Sequence, residues 1–314
     1  MSASIGVIGL GRAGISRLNA LAELGIDQVT VATRRLEAFS EIQHSLSTSI
    51  QISITTDWNH FLHDPWIEVV FVCSESQAHA EQVDRLLSAG KHVVVEFPLC
   101  ETYTQATHLF ELARDVNRIL HVESIGTLSS RHRSLREYIT LERSSIQRMR
   151  SSFTGGLYRW VSEAAECGQW AFLSFGRLHQ LIDLFGALTL EDLSISSNLK
   201  NSHGYTLCLG LKTLGSEPAV YIEMIERRDI GLKRTHQVEL VSETGPLELE
   251  PNKRESLFVT DTAYALKLMG VSINDTSSSI PSSDYASEEK ILLCHQLIDM
   301  ITSRAQRPLE RMGN

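Results

Sequence analysis

The sequence predicts an α/β protein with two domains. The first, residues 1–124, is built on a doubly wound parallel sheet, and the second, residues 125–314, is an α+β domain with a large, mainly antiparallel open sheet. Three observations predict this fold class: a strand, glycine turn and helix at the start of the chain, alternating strands and helices up to about Ser124, and a succession of strands with few helices after it. A chain of 314 residues is also too long for one ordinary hydrophobic core, which favours two domains.

The composition indicates a globular protein that binds neither nucleic acid nor membranes. The net charge is −9 without a basic stripe, and no apolar run approaches the ~20 residues of a membrane span. The five cysteines are scattered without CxxC pairing, which indicates reduced thiols, and neither they nor the 12 histidines show the spacing of metal ligands. With no N-terminal signal segment, we expect a cytoplasmic, monomeric protein without a metal.

The glycine turn Gly9-Leu10-Gly11-Arg12-Ala13-Gly14 predicts a dinucleotide site of the Rossmann type. It follows the apolar run 5–8 and opens a helical pattern that Gly25 ends. Gly9 permits the tight turn, Gly11 leaves the backbone open to a pyrophosphate, and Gly14 lets the helix pack against the strand. The helix N-terminus then offers free N–H groups to phosphates. The alternative is a glycine turn without a ligand.

The tip of the second strand predicts a preference for NADPH over NADH. Strand 28–32 ends at Thr33-Arg34-Arg35, where NAD-binding folds place a carboxylate for the ribose 2′-hydroxyl. A guanidinium suits a 2′-phosphate in charge and in geometry. The alternative is that Arg34 and Arg35 are two solvated surface side chains.

Further strands at 52–54, 68–73, 92–95 and 119–123 should end at the same edge of the sheet, where such folds bind ligands. Cofactor contacts are therefore expected from the glycine turn, from Thr33, Arg34 and Arg35, and from Cys73, Ser74, Glu75, Ser76, His79 and Glu96. Glu96 and Glu123 are catalytic candidates. Their alternative role is that of rim carboxylates that only accept backbone hydrogen bonds.

The second domain should contain strands at 148–153, 193–197, 206–211, 219–225, 237–241 and 246–249, with helices at 133–141, 170–185 and 288–303. We expect the last helix to pack back towards the first domain. Asp261 should cap the N-terminus of a helix that begins near Thr262, so its replacement by Ala should cost about 1 kcal/mol.

The segment Glu96-Phe97-Pro98 resembles the family of two-domain oxidoreductases typified by glucose-fructose oxidoreductase and inositol dehydrogenase, which carry Glu-Lys-Pro there. In those sugar dehydrogenases the lysine is a catalytic contact, and a later Asp-x-Gly-x-x-x-His motif supplies the base. Here Phe97 replaces the lysine, and the corresponding helix, 174–179, lacks the aspartate. A sugar-alcohol oxidation would lack its proton acceptor, so that branch of the family fits poorly.

Further stretches match a narrower branch of this family, in the same order and with similar gaps: Gly11-Arg12-Ala13-Gly14, Arg34-Arg35, Cys73-Ser74-Glu75-Ser76, Ala89-Gly90-Lys91-His92-Val93, Glu96-Phe97-Pro98-Leu99, Leu120-His121-Val122-Glu123, Arg177-Leu178, Leu184-Phe185-Gly186 and Gly231-Leu232-Lys233-Arg234. In these stretches the chain resembles the A-type biliverdin reductases. The segments around Ser74 and Gly231 are the most specific, because the general fold requires neither.

This resemblance implies NADPH-dependent reduction of biliverdin to bilirubin, with hydride transfer to the central methine carbon and a proton added to a pyrrole nitrogen. It implies that Arg177 faces the bilin and that Lys233 and Arg234 contact it. Tyr158 and Arg159 are further candidates for lining the bilin slot.

Two positions depart from the family. Phe97 stands where tyrosine is usual and cannot donate a proton, and Gly126 replaces a second glutamate. A guanidinium stays protonated at neutral pH, so we expect Arg177 to hold a water or polarise the bilin while solvent supplies the proton. The alternatives are a reductase of another bilin or conjugated carbonyl, and a redox-inactive NADP-binding sensor or scaffold.

Overall fold

The computed structural model describes residues 4–34, 36, 39, 46, 50–166, 169, 173–197, 204–242, 256–274 and 284–306. The chain forms two compact units. Unit 1 comprises residues 1–129 and 254–291, and unit 2 comprises residues 130–253 and 292–314. Residues 254–291, which the sequence prediction placed in the second domain, therefore belong to unit 1.

Unit 1 contains a six-stranded parallel sheet in the order β3-β2-β1-β4-β5-β6. The strands are β1 Ser4–Ile8, β2 Gln28–Ala32, β3 Gln51–Thr55, β4 Ile67–Val72, β5 His92–Val95 and β6 Leu120–Val122. This strand order is that of the dinucleotide-binding Rossmann sheet, and it confirms the predicted parallel sheet. All six carboxyl ends lie at one edge because the strands are parallel.

The helices that connect these strands are α1 Arg12–Glu23, α2 His60–His63, α3 His79–Ser88 and α4 Tyr103–Asp115, and α5 Ile125–Leu128 follows β6. Helix α4 begins with a capping box, because the Thr102 side chain accepts from the Gln105 N–H and the Gln105 side chain accepts from the Thr102 N–H. Helix α1 has no side-chain cap at Gly11 and no acidic residue in its first turn. Its N-terminal N–H groups are therefore not covered by a side chain.

Unit 2 is built on a five-stranded sheet in the order β11-β7-β10-β9-β8. Its elements are α6 Ser130–Leu141, β7 Ile146–Gly156, α7 Arg159–Glu166, α8 Phe175–Phe185, β8 Leu188–Ser197, β9 Tyr205–Thr213, β10 Tyr221–Asp229 and β11 Thr235–Ser242. Three strand pairs are antiparallel, and β7 pairs with β10 in parallel, so the predicted mainly antiparallel sheet is confirmed. The predicted strand 246–249 and the predicted helical residues 170–172 lie outside the described residues.

The sheet of unit 2 has one buried and one solvent-facing side. On β10, Ile222 and Met224 are buried, and they alternate with Tyr221 and Glu223, which are exposed. On the exposed face Glu223 Oε2 lies 3.1 Å from Nε of Arg150 on β7. The buried face continues along β10 to Glu226 and Arg228.

Residues 256–291 join unit 1 through helix α9, Leu257–Leu268. Val259, Ala263 and Leu266 are buried in the same core cluster as Leu18 and Leu21 of α1. This apolar stripe explains why the segment folds with the first sheet although it follows the second in sequence. The last helix, α10 Glu288–Gln306, begins in unit 1 and ends in unit 2. Among the described residues, no helix combines the length and apolarity needed to span a membrane.

The predicted role of Asp261 as an N-cap is wrong. The helix begins at Leu257, and Asp261 is a fully buried residue within it. The helix extends a full turn upstream because Val259 is buried in the unit 1 core and Phe258 packs against it. The carboxylate of Asp261 instead pairs with an arginine of α1.

Candidate active site

The three glycines of the first turn differ in the space around them. A Cβ added to Gly9, which has φ +96°, would lie 2.6 Å from the carbonyl oxygen of Cys73. One added to Gly14 would overlap the carbonyl oxygen of Gly9, whereas one added to Gly11 would meet no atom within 4 Å. Gly9 and Gly14 are therefore needed for packing. Gly11 leaves open space beside the N-terminus of α1, where Arg12 and Ala13 form the first turn, and that space suits a pyrophosphate.

The carboxyl end of β2 carries the predicted ribose-phosphate contacts. The backbone N–H of Thr33 donates to Thr55, and the side chain of Arg34 is exposed. Arg34 Nη2 lies 3.6 Å from Oε1 of Glu75, which follows β4, and Glu75 is also exposed. Such a pair contributes little to stability and leaves Arg34 accessible to a phosphate. Arg35 lies outside the described residues.

The loops after β4 and β5 are held together by His79, the first residue of α3. Its Nδ1 lies 2.8 Å from the Pro98 carbonyl oxygen, and its Nε2 lies 3.2 Å from that of Ser74. The Ser74 hydroxyl donates to Gln82 at 2.6 Å. Burial lowers the pKa of His79, and the contacts with the two carbonyl groups only partly oppose it. A neutral ring has one N–H, so it donates to only one of these carbonyls. These contacts make His79 a fixed link between two loops at the strand edge.

The remaining residues predicted at this edge differ in exposure. Cys73 is buried, and Ser76 begins a short 3-10 turn before α3. Phe97 is 40 % exposed directly after Glu96, so its ring is available for contact with a flat ligand.

A buried ion-pair network lies beside this edge, centred on Arg17 of α1. Arg17 Nε donates to Oε1 of Glu96 at 2.8 Å, and its Nη1 donates to Oδ2 of Asp261 at 2.5 Å. The other oxygen of Asp261 accepts from Tyr285 at 2.5 Å and lies 2.8 Å from Nε2 of His121. One arginine thus connects the carboxyl end of β5 to α9.

The pKa values of Glu96 and Asp261 in this network are shifted in opposite directions. Burial raises the pKa of Glu96, and Arg17 only partly opposes that effect. For Asp261 the effect of burial is outweighed by Arg17 and His121, so its pKa is well below the ordinary value. Asp261 is therefore the ionised partner of Arg17, and Glu96, whose side chain is 12 % exposed, is the network's carboxyl nearest to solvent.

Glu123, directly after β6, is a buried carboxyl group whose pKa is raised. It is 1 % exposed, its Oε1 accepts from the backbone of Ile125 at 2.7 Å, and its Oε2 has no hydrogen-bond partner. Burial, together with the charges of Glu96 and Asp261, raises its pKa well above the ordinary value. A carboxyl group that stays protonated at neutral pH can donate a proton or a hydrogen bond.

In unit 2, Arg177 of α8 is anchored by Glu226 of β10. Glu226 is fully buried, and each of its oxygens accepts from two donors. Oε2 accepts from Arg177 Nη2 and from the Ser174 hydroxyl (2.5 Å), and Oε1 accepts from Arg228 Nε (2.7 Å) and the Tyr205 hydroxyl (3.4 Å). Burial alone would raise the pKa of Glu226, but the two guanidiniums and the Ser174 hydrogen bond outweigh it, so the pKa is lowered and the group is ionised.

Guanidinium groups surround the ring of Phe153, which lies in register with Glu226 on the neighbouring strand. The guanidinium carbons of Arg177, Arg228 and Arg234 lie 4.1, 4.6 and 6.0 Å from the ring centroid. Gly155 makes this packing possible, because a Cβ there would lie 2.9 Å from the Phe153 ring. Because the Phe153 ring is only 5 % exposed, it supports the guanidiniums, and the cluster offers an anion its cations.

The other predicted contacts of unit 2 lie close by in sequence. Lys233 and Arg234 follow the turn at Gly231, and both are exposed. The carbonyl of Lys233 accepts from the Thr154 hydroxyl at 3.0 Å, which ties the turn to β7. Tyr158 is 59 % exposed after β7, and the side chain of Arg159 lies outside the described residues.

His236 is a further ionisable group of this surface that the sequence did not single out. It lies opposite Phe153 on β11, with its Nε2 3.0 Å from the Ser151 hydroxyl. Burial lowers its pKa to about 4, and the positive charges of Arg177, Arg131 and Arg234 contribute. The imidazole is therefore neutral at pH 7.

Arg17, Phe153, Glu226 and Arg228 were also missed by sequence reasoning, and three of them carry a detectable signal. Glu226 and Arg228 continue the buried alternation of Ile222 and Met224 along β10, and a charged residue at a buried strand position indicates a paired or functional group. Arg17 likewise interrupts the apolar stripe of α1. Among the described residues, no group of three or more His, Cys, Asp or Glu side chains is placed to hold a metal ion.

Two protein families match different parts of the chain. Residues 3–124 match the oxidoreductase family with an NAD-binding Rossmann fold, and residues 142–254 match the family of biliverdin reductase catalytic domains. Biliverdin reductase A of Mus musculus is 29% identical over 309 residues, covering 96% of this chain and 95% of that protein. Biliverdin reductase A of Homo sapiens is 29% identical over 277 residues, covering 84% and 85%.

Solved structures share the fold at lower identity. A biliverdin reductase from Synechocystis sp. PCC 6803, crystallised with biliverdin and NADP+, has a TM-score of 0.75 at 20% identity and covers 96% of this chain and 98% of that one. Scyllo-inositol dehydrogenase from Lactobacillus casei, with NAD(H) and scyllo-inositol, has a TM-score of 0.70 at 14% identity and covers 96% of each chain. The chain is an NAD(P)-dependent oxidoreductase whose residues 3–124 are similar to the family with the NAD-binding Rossmann fold and whose residues 142–254 are similar to the biliverdin reductase catalytic domains.

Proposed function

We propose that this protein reduces biliverdin to bilirubin with NADPH. The observation that carries the proposal is the group of guanidiniums around Phe153, within the segment that matches the biliverdin reductase catalytic family. Biliverdin is a flat conjugated anion with two propionates, so it needs both an apolar surface and nearby cations. The similarity to biliverdin reductase A along nearly the whole chain supports the same reaction.

The residues of unit 1 fit a dinucleotide. The open space at Gly11 and the uncapped N-terminus of α1 would hold the pyrophosphate, and Arg34 would bind the 2′-phosphate that distinguishes NADPH from NADH. When bound, NADPH supplies the hydride, which goes to the central methine carbon of the bilin. NADP+ in the Synechocystis relative supports this choice of coenzyme.

The residues of unit 2 would bind and orient the substrate. Arg177 and Arg228 would pair with propionates, and Arg234 and Lys233, both exposed, would add charge at the margin. Phe153, which is 5 % exposed and packs against these guanidiniums, would support them and not contact the tetrapyrrole itself. Tyr158 and Arg159 remain candidates for the same surface.

The reduction also requires a proton on a pyrrole nitrogen. Phe97 has no phenol and is proposed as an apolar contact, and a guanidinium gives up its proton too reluctantly to act as the acid. We therefore assign the proton to a solvent water held by Arg177, with Glu96 and Glu123 as the carboxyl groups of the coenzyme side.

A direct assay tests the reaction and its alternatives. Purified protein is mixed with NADPH and biliverdin, and the long-wavelength bilin band should give way to bilirubin absorption. Turnover only with another bilin would favour a reductase of different specificity, as Phe97 allows. Coenzyme binding without turnover of any bilin would indicate a redox-inactive NADP-binding protein.

Replacement of Arg177 by Ala should lower turnover at least tenfold, because the variant loses both a propionate contact and the group that holds the water. Steady-state rates with biliverdin and NADPH check this expectation. Arg150→Ala, on the exposed face of the same sheet, is the control and should keep the wild-type rate. An unchanged rate for Arg177→Ala would remove this residue from the mechanism.

A further inference from the structure

The buried carboxylate of Glu226 is not accounted for by the reaction itself. It is fully buried, so it cannot contact a substrate, and its four acceptor positions are all used by Ser174, Tyr205, Arg177 and Arg228. It is therefore neither an acid nor a base for the bilin. A carboxylate whose acceptor positions are all taken by hydrogen bonds, two of them from arginines, has a different role.

We propose that Glu226 is a positioning residue, which fixes Arg177 and Arg228 at the spacing that two carboxylates of one substrate require. The inference rests on the proposed function and deepens it, because it defines the substrate as a dicarboxylate. Arg177 comes from helix α8 and Arg228 from strand β10. One carboxylate binds both, so their separation is set by the two oxygens of a single side chain.

The hydrogen bonds leave donors available on both arginines. Arg228 gives its Nε to Glu226, so its two terminal nitrogens are not used by that carboxylate. Arg177 gives Nη2 to Glu226 and to the Leu173 carbonyl, while its buried Nε has no hydrogen-bond partner. That Nε is as inaccessible as Glu226, so a ligand carboxylate would meet the outer nitrogens of the two guanidiniums, whose side chains are 13 % and 10 % exposed.

The charge of the cluster also matches a dianion. Three guanidiniums (Arg177, Arg228 and Arg234) and one carboxylate (Glu226) give 3 − 1, a net charge of +2 around Phe153. Without Glu226 the same surface would carry a larger positive charge. A role in charge and a role in position therefore make opposite predictions when Glu226 is neutralised.

Binding of biliverdin and of its dimethyl ester, each followed by absorbance titration without NADPH, distinguishes the two roles. Glu226→Gln removes the charge, and Glu226→Asp keeps it but shortens the reach by one methylene. If Glu226 positions the arginines, both variants should bind biliverdin at least tenfold more weakly, and the dimethyl ester, which has no carboxylates, with less than a twofold change. Glu223→Gln, on the exposed face of the same strand and also paired with an arginine, should bind both as wild type does.

Tighter or unchanged binding of biliverdin by Glu226→Gln, or unchanged binding by Glu226→Asp, would overturn the proposal. Equal losses for biliverdin and its ester would also overturn it, because they would indicate general damage to the fold. If circular dichroism shows that Glu226→Gln does not fold, the biliverdin titration of Glu226→Asp tests the proposal in its place. Wild-type protein that binds biliverdin tightly without reducing it would overturn only the proposed reaction, whereas wild type that binds biliverdin no better than the ester would overturn the dicarboxylate site.

Discussion

At the scale of single residues, the glycine turn separates packing from ligand binding. Gly14 has no room for a Cβ against the carbonyl of Gly9, whereas Gly11 has φ −81° and ψ −170°, an extended conformation open to any residue, with no atom within 4 Å of an added Cβ. Gly14 is thus needed for packing, whereas Gly11 leaves space for a ligand. Substitutions at them should have separable effects.

Gly14→Ala should destabilise the protein by about 1–3 kcal/mol or more, because its Cβ overlaps backbone that has nowhere to move. Gly11→Val should leave the melting temperature near that of wild type but weaken NADPH binding at least tenfold, because its side chain fills the space of the pyrophosphate. Thermal melts and coenzyme titrations of both variants check this. A Gly11→Val protein that binds NADPH normally would show that the turn is not the phosphate site.

Arg34→Ala should narrow the preference for NADPH over NADH by about tenfold or more, since a hydrogen bond between charged groups contributes roughly 1.5–3 kcal/mol. The ratio of kcat/KM values for the two coenzymes measures the change. Glu75→Gln provides a contrast, because it removes the carboxylate that pairs with Arg34 and should widen the preference. Equal effects of Arg34→Ala on both coenzymes would argue against a 2′-phosphate contact.

At the scale of elements, the Arg17–Asp261 pair fastens α9 to α1 and to the end of β5. The guanidinium is fully buried and lies over the rings of Phe258 and Phe71, 4.9 and 5.8 Å from their centroids. A buried pair of this kind contributes little by its mere presence, but the loss of one partner leaves an uncompensated charge in the core.

Asp261→Ala should therefore cost about 3–5 kcal/mol of unfolding free energy, several times the cost of losing a helix cap. Thr102→Ala, at the capping box of α4, gives the matched comparison and should cost about 1 kcal/mol. Urea unfolding of the two variants measures both values. Similar losses for the two would mean that Asp261 behaves as a cap after all.

Sequence patterns predicted the strands and the turn well, because their signals are local. The six parallel strands, the glycine turn and the arginine at the end of β2 follow from apolar runs and glycine spacing. The pairs Arg17–Asp261 and Arg177–Glu226 were not predictable, since they join residues 244 and 49 positions apart in the chain. The prediction of an N-cap at Asp261 was wrong because it used only the local pattern of Asp before an apolar helical run. Tertiary packing extends this helix upstream of Asp261.

At the scale of the whole molecule, two buried groups, one in each unit, should contribute to stability with opposite dependence on pH. Unit 1 buries the neutral carboxyl of Glu123, whose folded pKa is raised by burial. The folded state then binds more protons than the unfolded state above pH 4.5, so unfolding free energy is lost as pH rises. Unit 2 buries His295, whose pKa burial lowers to about 3, with a further contribution from His179. There the unfolded state binds more protons below pH 6.5, so stability is lost as pH falls.

Glu123→Gln should gain stability relative to wild type as pH rises from 5 to 8, by up to about 1.4 kcal/mol per pH unit while the wild-type carboxyl stays protonated. His295→Gln should show the opposite trend and gain relative to wild type as pH falls from 6.5 to 4. Denaturant unfolding at several pH values measures the two differences. A difference that stays constant with pH would show that the substituted group is not coupled to folding.

Because Arg17 pairs with a residue 244 positions away, the chain can be cut at few places to give a fragment that folds. A fragment that stops at residue 129 would encode the complete six-stranded sheet yet omit the carboxylate and the apolar stripe that cover α1. In such a fragment the guanidinium of Arg17 would lack its partner Asp261 in an apolar environment, and we expect the fragment to be insoluble. A coenzyme-binding module would need residues 256–291 spliced onto its end.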